Sequence, residues 1–79
     1  MKTTATLVGV FGDQVGFADM IGETGRLSVS KEGGSFGGFG NEWLEFHPKR
    51  VTRKDGQIRV RTELGNTFVF DTKENDNHG

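Results

Sequence analysis

The chain predicts an all-β fold: a small, partly open barrel of five to six short antiparallel strands, with no long helix. Three observations carry that prediction. Residues 49–72, KRVTRKDGQIRVRTELGNTFVFDT, alternate apolar and polar side chains between clusters of turn residues, which is the pattern of consecutive half-buried strands. The 79 residues include 13 Gly, seven Phe and one Trp, a composition suited to many turns around an aromatic core. No window carries apolar residues at the 3.6-residue spacing of a helix face.

Taken in order, residues 3–11 read as a first strand, with Ala5, Leu7, Gly9 and Phe11 on one side and Thr6, Val8 and Val10 on the other. Gly12-Asp13 makes a turn. Residues 14–21 read as a second strand with Val15, Phe17 and Ile21 together, Asp19 sharing their side and Gly16 marking a bulge. A turn over 22–25 leads into a short strand over 26–30 with Leu27 and Val29 inward. Residues 33–40, GGSFGGFG, show no period and read as a flexible loop carrying Phe36 and Phe39. Residues 41–47 form a further strand, Leu44 and Phe46 on one side and Trp43 on the other, and Pro48 breaks it because it has no N–H to donate.

The basic hairpin has the strongest local signal. Asp55-Gly56 is a favoured centre for a type I′ turn, and a two-residue loop pairs Lys54 with Gln57, Thr52 with Arg59, Val51 with Val60 and Arg50 with Arg61. Val51, Ile58 and Val60 then lie inward, and Arg50, Thr52, Arg59 and Arg61 outward. Slipping the register by one residue mixes the two faces. For the next loop, residues 65–67 as a three-residue turn pair Leu64 with Phe68 and Arg61 with Asp71, and put Leu64 in the core. One domain over 1–72 is expected, followed by a polar, disordered tail over 73–79. Short consecutive strands of this kind close most economically into an SH3-like or Sm-like shape, and no motif ties the chain to a particular family.

Charge is unevenly placed. The net charge is −1, yet residues 49–61 carry +5 while the segments on either side each carry −3. The chain is therefore no generic polycation, and its positive charge belongs to one hairpin. Without cysteine there is no disulfide framework and no thiolate metal site. The apolar run over 7–11 is shorter than a signal-peptide core, and no run approaches the ~18 apolar residues of a membrane span, so a cytoplasmic protein with no membrane partner is expected.

Catalytic chemistry is thin. His47 and His78 have no metal-ligand spacing, and Ser28, Ser30 and Ser35 have no positioned base nearby in sequence. The Gly-rich stretch lacks the lysine and following helix of a phosphate loop. A protein that is not an enzyme and needs no cofactor or metal is expected. Partner binding falls to two groups: Phe36, Phe39 and Trp43 as aromatic anchors, and Arg50, Arg53, Lys54, Arg59 and Arg61 as a cationic surface. The commoner fates are simpler ones, aromatics that complete a core short of bulk and charges that are merely solvated.

Two functions compete on this basis. The first is a small adaptor or inhibitor that binds a protein partner, or a second copy of itself, through the Gly/Phe loop and the basic hairpin face. The second is a single-stranded RNA- or DNA-binding protein in which the arginines take the backbone and aromatics take the bases. The acidic flanks favour the first.

Overall fold

The computed structural model describes residues 2–12, 18–38 and 43–72. Among them are seven strands: β1 (Lys2–Phe11), β2 (Thr24–Ser30), β3 (Gly33–Gly38), β4 (Trp43–Phe46), β5 (Pro48–Lys54), β6 (Gln57–Thr62) and β7 (Thr67–Asp71). All pair antiparallel in a single sheet of order β4-β3-β2-β1-β7-β6-β5. Seven strands stand against the five to six expected: the Gly-rich stretch is itself a strand, while Ala18–Met20 of the expected second strand form a 3-10 turn. A three-residue 3-10 turn, Ala18–Met20, follows β1, and no helix is long and apolar enough to cross a membrane among the described residues. In the expected strand over 14–21, residues 14–17 lie outside the described residues; beyond them Met20 is buried and Ile21 exposed, opposite to the expected facing.

The two edge strands, β4 and β5, are consecutive in the chain and joined only through His47. One residue links opposite edges of a seven-stranded sheet, so the sheet has to curl. The core records the curl. Phe36 on β3 and Phe70 on β7 are three strands apart, about 14 Å in a flat sheet, yet their ring centroids are 5.0 Å apart. Phe46 on β4 and Phe68 on β7 stand 5.7 Å apart. The hydrogen-bonded ladder does not close, since β4 and β5 pair with β3 and β6 and not with each other. Around these rings pack Ala5, Leu7, Leu27, Leu44, Ile58 and Val60.

Two registers repay comparison with the sequence. The Asp55-Gly56 turn is as expected, with both residues at positive φ (56° and 80°) and Arg50 opposite Arg61, Val51 opposite Val60, Thr52 opposite Arg59 and Lys54 opposite Gln57. The second hairpin is not. Val60 pairs with Phe68, Arg61 with Thr67 and Gln57 with Asp71, so the loop covers residues 63–66 and Leu64 is 78% exposed. The reason is in the loop. The Thr62 N–H donates to the Asn66 carbonyl (2.8 Å) and the Gly65 N–H to that of Thr62 (3.0 Å), while Thr62 and Asn66 themselves fill the buried positions that Leu64 was expected to share.

The Gly/Phe stretch departs furthest from expectation. Residues 33–38 are β3, paired on both sides, and Phe36 is 0% exposed between Leu27 and Leu44. Two of its glycines are seats for rings from the next strand. A Cβ on Gly34 would overlap the Phe46 ring in the core, and a Cβ on Gly37 would overlap the Trp43 indole on the outer surface.

Candidate functional site

The outward face of β5 and β6 carries four of the six cations of residues 49–61, Arg50, Lys54, Arg59 and Arg61. Its residues follow from strand alternation: Ile58, Val60 and Thr62 point into the core, which sends Arg59 and Arg61 out. Their partners on β5 follow, Arg50 opposite Arg61 and Thr52 opposite Arg59, with Lys54 beside Gln57 at the turn. On the other flank Thr67 and Val69 of β7 are the neighbours of Arg61 and Arg59. The expected pairing of Arg61 with Asp71 does not occur, because Asp71 stands opposite Gln57 and Thr6 at the far end of the strands. Like charges directly opposite are destabilising, so this pair is a site where an anion gains by binding. A shallow depression of about 290 Å³ lies on the same face, lined by Thr52, Lys54, Asp55, Gln57 and Arg59.

Arg53 is on the other side of the hairpin. It pairs with Ile58 and so shares the inward side with Val51. Both remain exposed on β5, an edge strand of the sheet. With Lys31, Lys49 and Arg50, Arg53 lines a cleft between β5 and the end of β2, which carries the positive surface around the sheet edge.

Of the expected aromatic anchors, Phe36 is a core residue and is withdrawn from the binding surface. Phe39 lies outside the described residues. Trp43 is 59% exposed on β4 and is held in place, its ring over Gly37 and its Nε1–H donating to Glu45 Oε2 at 3.2 Å. The loop therefore does not unite Phe36 with Trp43, and neither is in the cross-strand rows of the arginines.

One aromatic is in those rows, and the alternation of β1 hides it. A bulge between Leu7 and Gly9 adds a residue opposite β7. It reverses the facing of the strand end, so that Val10 turns toward the core and Gly9 and Phe11 turn outward, against the expectation for Gly9 and Phe11. Phe11 is 60% exposed and stands opposite Thr67, so one row across the sheet reads Phe11, Thr67, Arg61, Arg50. The next reads Gly9, Val69, Arg59, Thr52. The signal available in the sequence was Gly9 itself, since a glycine inside a strand marks a bulge or a close approach.

At the opposite end of the hairpin, near His47, an apolar depression of about 260 Å³ is lined by Phe46, Leu64 and Phe68 together with the carboxylates of Glu45 and Glu63. Glu45 and Glu63 make this depression itself unsuited to an anion. Compared with protein-family models, with curated proteins and with solved structures, the chain shows no significant match to any of them.

Proposed function

We propose that this domain is a non-catalytic binding module for nucleic acid, working through the outward face of β5 and β6. The observation that carries the reading is the Arg50–Arg61 pair, directly opposed and flanked on β7 by Thr67 instead of a carboxylate. Guanidinium groups suit phosphate oxygens in a bidentate fork, and several cations in adjacent rows suit a polymer of phosphates better than a single anion. Net charge of −1 limits long-range steering, so affinity depends on these local contacts and is weak near physiological salt. The curled sheet with its edges meeting at His47 supports a partly open barrel of the SH3-like kind as the architecture, and the absence of a cysteine framework agrees with a cytoplasmic setting.

The test is binding of a labelled mixed-sequence oligonucleotide over a salt series. Wild type binds at low salt with a steep log–log dependence. Arg59→Glu with Arg61→Glu keeps the fold, weakens binding and flattens the slope by at least about 1.4 units, roughly 0.7 per lost phosphate contact on a single strand. A wild-type protein that ignores nucleic acid at low salt refutes the reading. A protein partner is the second reading, supported by Trp43, whose exposed and immobilised indole resembles an interface anchor.

A further inference from the structure

We propose that Phe11 is a stacking platform for a base, and that the ligand of the arginine face is therefore a single strand and not a duplex. The inference rests on the reading of the arginine face given above.

Phe11 has the geometry of a platform. Its Cε2 and Cζ lie 3.0 and 3.3 Å from the position a Cβ on Gly9 would take, so the ring rests on a residue with no side chain. Val69, buried and opposite Gly9 in the adjoining row, is an apolar neighbour of the same seat. The contact is made by the Cε2–Cζ edge of the ring, and the residue as a whole stays 60% exposed. The bulge at Val8 is the device that turns it outward.

Its position relative to the cations gives the ligand class. Phe11 and Arg61 lie in one cross-strand row with only Thr67 between them, two strand spacings or about 10 Å apart. Arg50 is one strand further along that row, and Arg59 is in the next. A chain laid across the strands puts a base on Phe11 while its adjacent phosphates run over Arg61 and Arg50. In a duplex the faces of the bases are stacked on one another and only phosphates and groove edges are offered, so the ring would have nothing to hold. An unpaired base has a free face, and aromatic stacking accepts any base. The predicted binding is accordingly indifferent to sequence.

The experiment uses the full chain, with a fluorescein-labelled mixed-sequence single-stranded oligonucleotide and its duplex as probes, each titrated over a salt series. Phe11→Ala is expected to weaken single-strand binding by about tenfold or more, with its salt slope and any duplex binding unchanged, because no phosphate contact is removed. Phe11→Trp retains binding. Phe11→Leu keeps apolar cover over Gly9 but loses the aromatic face, and is expected to lose affinity as the alanine variant does. It serves as the principal comparison if the alanine variant melts early. Unchanged affinity in Phe11→Leu, while Arg59→Glu with Arg61→Glu abolishes binding, overturns the platform and leaves the arginine reading standing. Preference for the duplex also overturns it. A wild type that binds neither probe, including one that binds only an acidic protein, overturns both.

Discussion

Gly34 has no room for a side chain. Phe46 lies against its backbone in a position that any β-carbon would occupy, whereas Gly33, one residue earlier, has only the Phe46 carbonyl 3.8 Å from the corresponding point. Neither has a positive φ, so the comparison isolates crowding from backbone strain. Gly34→Ala is expected to destabilise the domain by roughly 1–3 kcal/mol, the usual cost of overpacking a filled core. Gly33→Ala is expected to have little effect. Chemical denaturation of the two variants side by side checks this; equal losses would mean that the Phe46 ring moves aside freely.

At the scale of elements, the second hairpin separates two registers that use the same residues. With Leu64 opposite Phe68 both would be core positions, and truncating either would be severe. In the observed register the loop leaves Leu64 in solvent while Phe68 is 1% exposed and faces Phe46. Phe68→Ala is therefore expected to cost about 3–5 kcal/mol and Leu64→Ser to stay within about 0.5 kcal/mol of wild type. Urea midpoints of both measure the difference, and a large loss for Leu64→Ser would restore the shorter loop. The bulge in β1 acts on the same scale: one extra residue exchanges the facing of Val10 and Phe11, and with it the character of the outer surface.

For the molecule as a whole, the curl of the sheet determines which rings meet. Phe36 and Phe70 are neighbours only because the β3 side of the sheet bends toward β7, so their energetic coupling reports that bend. A double-mutant cycle with Phe36→Leu and Phe70→Leu is expected to give a coupling of about 0.5–1.5 kcal/mol, as for tilted ring pairs. Additive effects, measured by denaturation, would be those of a flatter sheet in which the two residues do not touch.

Local chemistry made much of this protein legible. The Asp55-Gly56 turn needs positive φ, which these residues tolerate, and the alternation beyond it allows one register; the faces of Arg50, Arg59 and Arg61 follow. Leu27, Val29, Leu44 and Phe46 point inward by the same period. What only the tertiary structure decided are the features set by neighbours distant in sequence. The stretch over 33–38 has no period of its own because its glycines answer to Phe46 and Trp43 on another strand, so it reads as a loop until those rings are placed. The loop over 63–66 depends on whether Thr62 and Asn66 or Leu64 fills the buried space, and short-range pattern weighs Leu64 by hydrophobicity alone. Phe11 reaches the arginine face because β1 bulges where it pairs with β7, some sixty residues away. Alternation assigns side chains to faces only while the pairing is regular; where a partner strand shifts the pairing, contacts across the sheet decide the outcome.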